Sequence, residues 1–145
     1  MIRIPFQTQM RQGTVDLLQA FKQDADLSAQ IYGGRPRSVK PPTWFVDRIR
    51  ETLAFDGLRQ RTVQVEVVFL WGLFDSLEAA NQRDATIDAF IDYVTDRPHG
   101  AGTNTILEPR TIEDDPNFVP DWLRPEEQHS LYATTLTLEG FAGGF

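Results

Sequence analysis

The sequence contains no cysteine, which excludes disulfide bonds and metal sites built on thiolates. No apolar run approaches the roughly 20 residues that a membrane-spanning helix needs. The first residues also lack the long apolar stretch of a secretory signal. A reducing compartment is therefore permitted, and a cytoplasmic origin is the default expectation. The 145 residues fit a single domain, 1–145, with its own core.

Residues suited to catalysis are scarce as well. There are two histidines, His99 and His129, and neither has a second histidine at metal-ligand spacing. The sequence has no Gly-x-Ser-x-Gly elbow and no glycine-rich loop that runs into a helix with a lysine. It therefore predicts no catalytic residue, no cofactor and no bound metal. The alternative left open is a small enzyme in which His99 acts with an acid such as Asp47.

Charge is unevenly distributed along the chain. The formal net charge is −7, which argues against general binding of nucleic acid because backbone phosphate would be repelled. Residues 1–61 hold ten Lys/Arg and six acids, whereas residues 62–145 hold four Arg and fifteen acids. Either the two kinds of charge intermix on the folded surface, or the molecule has a positive and a negative region that meet head to tail.

Hydrophobic periodicity predicts two helices, over residues 14–30 and 76–96. Thr14 is the expected N-cap of the first helix, and Gly33 and Gly34 are its expected end. Asp75, with Glu78 three positions later, resembles a capping box at the start of the second helix.

Alternating and β-branched residues predict four strands. An irregular crossing over 50–61 and an acidic, proline-rich loop over 113–128, anchored by Phe118 and Trp122, are expected between them. The predicted fold is α+β, with about four strands in a mixed or antiparallel sheet and both helices packed on one face. The predicted strands cover residues 43–49, 62–71, 103–112 and 130–141.

The strand over 62–71 has one fully apolar face and one divided face. The divided face is polar in its first half and then carries Val68 and Leu70. Either another part of the chain covers this apolar end, or a second chain packs there. Val68 and Leu70 are therefore candidate interface residues.

Two clusters of charge lie in predicted loops. Arg35, Arg37 and Lys40 fall in a segment with two glycines and three prolines and no acid. They form either an ordinary exposed loop or a positive finger that docks on an acidic neighbour. The acidic cluster, Glu113, Asp114 and Asp115, lacks the glycine and the distal glutamate of a calcium loop and is expected to be a solvated turn. These three acids are also candidate interface residues, since their loop could dock on a partner.

The second helix has an aspartate at every fourth position. Like charges at this spacing lie along one helix face and repel by a few tenths of a kcal/mol per pair. The stripe is either a solvated face, a contact for cations of a neighbouring subunit, or a channel wall that keeps DNA from sticking. Its members are Asp84, Asp88, Asp92 and Asp96.

The layout of these features resembles the tail terminator, or tail-completion, proteins of long-tailed bacteriophages. The likeness covers nearly the whole chain but has no strict motif. It consists of an amphipathic first helix, the Gly33-Gly34 and proline-rich loop that leads to Pro41-Pro42-Thr43-Trp44, the strand over 63–71, the helix over 76–96, and the closing strand over 132–141 that ends in Leu-Glu-Gly-Phe.

This resemblance implies a structural virion protein that forms a homo-oligomeric ring, usually a hexamer. The ring would cap the tail tube and join it to the head–tail connector in the neck of the virion, after assembly in the host cytoplasm. DNA would pass through the ring without specific binding, no membrane would be involved, and the family has no active site. Another neck component, the head–tail stopper, is the alternative.

Overall fold

The computed structural model describes residues 5–54, 60–73, 76–97 and 106–143. Five strands form one sheet in the order β1-β2-β3-β5-β4, in which β1 is parallel to β2 and all other neighbours are antiparallel. The predicted α+β class is confirmed, but the sheet has five strands rather than four. The helices are α1 (Phe6–Asp24) and α2 (Leu77–Asp96), and the strands are β1 (Gln30–Tyr32), β2 (Thr43–Ala54), β3 (Gln60–Trp71), β4 (Ile106–Phe118) and β5 (Leu131–Gly143).

Helix α1 begins and ends earlier than predicted. It starts directly after Pro5, whose carbonyl accepts the N–H of Gln9. Thr14 is not a cap but a buried residue inside the helix, where its hydroxyl donates to the carbonyl of Met10 at 2.7 Å. The helix ends at Asp24 because Asp26 adopts a left-handed conformation with φ of 54°. An aspartate therefore takes the position for which glycine was expected.

The strands are longer than predicted. β2 continues to Ala54 and pairs with β3 from Gln60 onward, so the described part of 50–61 is a pair of antiparallel strands and not an irregular crossing. β4 continues to Phe118, so the segment expected to begin an acidic loop at 113 is a strand instead. A register shift lies beside Pro109 on this edge strand, as the proline suggests.

Both helices pack on one face of the sheet. Val63, Val65 and Val67 on β3 share a buried cluster with Leu17 and Leu18 of α1 and with Phe90 of α2. Phe21 of α1 joins the two helices to the sheet, because its ring lies 5.1 Å from that of Phe90 and 5.7 Å from that of Trp44. Burial of this large aromatic group anchors the helix layer.

Helix α2 starts where the sequence indicates, with a different cap. The side chain of Ser76 accepts the N–H of Ala79 at 3.1 Å, which satisfies one of the free donors of the first turn. Asp75, the predicted cap, lies outside the described residues. The periodicity predicts that α2 buries a stripe of six residues, and three of them, Ile87, Phe90 and Val94, are fully buried. The prediction is wrong at Leu77 in the first turn, which is exposed. The other two members, Ala80 and Ile91, are partly buried.

Candidate interaction surfaces

The loop between β1 and β2 holds the predicted cations in two different settings. Arg35 donates from Nε to Asp47 Oδ1 at 3.0 Å, and its guanidinium lies 5.0 Å from the ring centroid of Trp122. The hydrogen bond to Asp47 and the charge of that carboxylate raise the pKa of Arg35. Arg37 and Lys40 are exposed and form no ion pair with a described residue. The last two are therefore the cations of this loop that remain available to a partner.

The apolar end of the second sheet face is covered by the chain itself. Phe45 of β2 and Val68 and Leu70 of β3 pack under Trp122 and Phe118. The indole N–H of Trp122 donates to the carbonyl of Pro36 at 2.8 Å, which joins the loop over 119–130 to the loop over 33–42. Phe118 and Trp122 thus act as the anchors that the sequence predicts.

Val68 and Leu70 consequently leave the set of interface candidates. Their residues are 4% and 0% exposed. The sequence left two alternatives, cover by another part of the chain or packing of a second chain. The structure shows cover by the chain's own loops. The apolar end of the divided face is a second, smaller core and not an open contact surface.

The acidic cluster lies on the edge strand β4. Successive side chains of a strand point to opposite faces, so the three acids do not form one site. Asp114 accepts a hydrogen bond from the hydroxyl of Thr134 at 2.9 Å, and Asp115 accepts the N–H of Asn117 at 3.0 Å. Burial and the nearby Asp114 raise the pKa of Tyr132 on β5. The expectation of a solvated turn at Glu113–Asp115 is wrong, although all three residues are exposed.

The aspartate stripe is fully formed on the outer side of α2. Asp84, Asp88, Asp92 and Asp96 are all exposed, on the side of the helix away from its buried residues. Asp84 contacts Arg83 at 3.3 Å and keeps 67% of its side chain exposed. The other three form no ion pair with a described residue. Their negative charge is therefore directed to solvent or to a partner.

The stripe and the free cations lie on opposite sides of the molecule. α2 covers one face of the sheet, and the loop that carries Arg37 and Lys40 covers the other. Arg37 and Lys40 therefore do not pair with the stripe within one chain. They can do so between two chains that meet with unlike sides.

The residues considered for chemistry are not assembled into a reactive site in the described part of the chain. Asp47 is paired with Arg35, and the guanidinium of Arg11 donates to the carbonyls of Val46, Asp47 and Gly33. This clamp by Arg11 has no signal in the sequence. His99 lies outside the described residues, and His129 is exposed.

Among the described residues, no group of three or more His, Asp or Glu is placed to hold a metal ion. Within the same residues, neither helix has the length and apolar character required to cross a membrane. Comparison of the sequence with models of known protein families and with curated proteins finds no match.

Proposed function

We propose that this chain is a structural subunit that assembles into a homo-oligomeric ring, as the tail terminator of a long-tailed bacteriophage. The observation that carries the proposal is the separation of exposed charge. Aspartates line the outer side of α2, and Arg37 and Lys40 stand on the loop layer behind the sheet.

Contact between unlike surfaces favours a ring over a symmetric dimer. In a two-fold dimer each patch meets its own copy, so the stripe would face another stripe and repel it. Contact of the stripe with the cationic loop of the next subunit is heterologous, and such contacts generate closed rings when the rotation closes. The family resemblance suggests six subunits.

The remaining partners follow from the resemblance. The ring would bind the tail-tube protein on one side and the head–tail connector or stopper on the other, in the neck of the virion. The exposed acids of β4, Glu113, Asp114 and Asp115, would supply a second charged contact on the sheet edge. DNA would pass through the centre without specific binding.

Two other functions remain candidates. A head–tail stopper would have the same kind of ring but would bind the portal–adaptor complex in place of the tail tube. A small enzyme using His99 is the weaker candidate, because Asp47, its suggested acid, is paired with Arg35.

The test is assembly of the purified full chain. Sedimentation velocity over a range of protein concentrations should show a discrete ring-sized species, and electron microscopy should show rings. Mixed with tail-tube protein of the phage that encodes it, the protein should cap tube ends. A strictly monomeric protein that ignores tubes would overturn the proposal, and binding only to portal–adaptor complexes would select the stopper.

The same preparation tests the enzyme alternative. Replacing His99 by Ala should leave ring formation and tube capping unchanged. Loss of biological activity in a variant that still forms rings would support a catalytic role for His99.

A further inference from the structure

A cleft between the first half of α2 and the adjoining part of the sheet has the properties of a binding site for a small molecule. Its volume is about 540 Å³, and its lining is mainly apolar. This size lies in the range of ligand pockets, roughly 300–1,000 Å³. Trp44 and Trp71 line it from the sheet, Leu27 from the segment after α1, and Ala79 and Ala85 from α2.

One cationic side chain also lines this cleft. Arg83 is among the lining residues, and 15% of its side chain is exposed.

The guanidinium of Arg83 retains capacity for an anion. It stacks at 3.8 Å on the ring of Tyr132 and contacts one oxygen of Asp84. A guanidinium has five N–H donors, so this carboxylate oxygen does not use them all. Asp84 is largely in water, where its charge is screened, whereas Arg83 is mostly buried.

We propose that the cleft binds a small amphipathic acid, with an apolar ring system against the apolar lining and a carboxylate or sulfonate on Arg83. The cleft adjoins the aspartate stripe, because its lining residue Arg83 contacts Asp84, but the proposal does not depend on the ring function. The apolar lining supplies affinity, and the cation selects an acidic head over a neutral one.

Two fluorescent probes with the same ring system test both halves of the proposal. 1-Anilinonaphthalene-8-sulfonate carries an acidic group, and N-phenyl-1-naphthylamine does not. Titrated into the full chain, the sulfonate should saturate at one molecule per chain and bind about tenfold more tightly than the neutral amine, as expected for one charge-assisted hydrogen bond. Equal affinities, or binding of several molecules per chain, would overturn the proposal.

Matched variants locate the site. Ala85 and Ala89 are both exposed on α2, one turn apart, and Ala85 lines the cleft. Ala85→Phe should weaken both probes at least fivefold, and Ala89→Phe should leave both unchanged. Equal effects of the two variants would show that the probes bind elsewhere.

A second pair tests the cation. Arg83 and Arg97 each stack at 3.8 Å on a tyrosine ring, but Arg97 is not a lining residue of the cleft. Arg83→Gln should remove the preference for the sulfonate, and Arg97→Gln should preserve it. Thermal melts confirm that each variant is folded. If probe binding disappears as the protein self-associates, another copy occupies the cleft and the small-molecule proposal is wrong.

Discussion

At the scale of single residues, the end of α1 depends on one unusual backbone conformation. Asp26 has φ of 54°, and it is the only described residue other than glycine with positive φ. Its N–H donates to Gln23, and the N–H of Leu27 donates to Lys22, which closes the helix end. Alanine in this conformation is strained relative to glycine.

We therefore expect Asp26→Ala to be less stable than Asp26→Gly by about 1 kcal/mol in urea denaturation. Ser28 is a control with ordinary φ, where alanine should be at least as stable as glycine because it restricts the unfolded chain. If the glycine variant were the more stable one at both positions, or the alanine variant at both, this account of the helix end would be contradicted.

Tyr93 provides a prediction about pH. Burial, and a hydrogen bond from its hydroxyl to Asp24 at 2.9 Å, raise the pKa of this phenol. The unfolded phenol has a pKa of about 10. The folded state favours the neutral phenol. The contribution of Tyr93 to the stability of the folded chain is therefore fully present below pH ~10, and it is lost as the pH rises through the pKa of Tyr93 in the folded protein.

Asp24→Asn keeps an acceptor for the Tyr93 hydroxyl and removes the negative charge. The pKa of Tyr93 should then fall, and tyrosinate absorbance should appear at lower pH than in the unsubstituted protein. Tyr93→Phe is the control, because it removes this titration altogether. An unchanged titration in Asp24→Asn would show that Asp24 does not act on Tyr93.

At the scale of elements, α2 is a helix whose surface charge works against its own dipole. Asp96 lies in the last turn, where anions are unfavourable, and Glu78 lies in the first turn, where they are favourable. Asp96→Asn should stabilise the chain by roughly 0.3–1 kcal/mol, and Glu78→Gln should destabilise it by a similar amount. Chemical denaturation at low salt measures both changes, and effects of the same sign would refute the dipole argument.

The elements that the sequence predicts well are those with long, regular periodicity. α2 and β3 keep their hydrophobic spacing over almost their whole length, so their positions were predicted to within a few residues. β1 has only three residues, too few for a periodic signal. The end of α1 was placed too late because the turn is made by Asp26, and no glycine marks it.

The edge strand β4 was truncated in the prediction for a different reason. Its second half is rich in acids and includes Pro116, a composition usual for a loop. An edge strand pairs on one side only, so it tolerates proline and charge that a central strand would not. Composition alone therefore does not distinguish an acidic edge strand from an acidic loop.

Long-range contacts limited the prediction of the candidate site. The ion pair of Arg35 joins residues 12 apart, and the hydrogen bond from Trp122 to Pro36 joins residues 86 apart. Only the folded sheet brings these groups together. The sequence therefore identified the charged residues but did not show that Arg35 is paired with Asp47 while Arg37 forms no ion pair with a described residue.

At the scale of the whole molecule, the layers place the aspartate stripe and the cations Arg37 and Lys40 on opposite sides. Helices cover one face of the sheet, and two joined loops cover part of the other. The stripe is retained although like charges on one helix face are unfavourable. If the stripe serves assembly, Asp96→Asn should stabilise the folded chain and also weaken ring formation. If the stripe is an ordinary solvated face, the same substitution should stabilise the chain and leave ring formation unchanged.

A charge swap tests this arrangement directly. Reversal of the loop cations (Arg37→Glu with Lys40→Glu) should weaken self-association at least tenfold, as should reversal of the stripe (Asp88→Lys with Asp92→Lys). The four changes together should restore it, because each side again meets the opposite sign. Arg35 is left unchanged because its pairing with Asp47 and Trp122 belongs to the fold.

The control for net charge is reversal of the exposed Arg48 and Arg50 on β2 to Glu, which should leave association unchanged. Salt provides an independent measure, because raising it from about 0.1 M to about 1 M shortens the screening length from about 10 Å to about 3 Å. Sedimentation should show dissociation over this range. Rings that persist in the two reversed variants would contradict a contact between the stripe and the loop cations. The stripe would then be either a solvated helix face or a channel wall that repels DNA, since neither contributes to contacts between subunits.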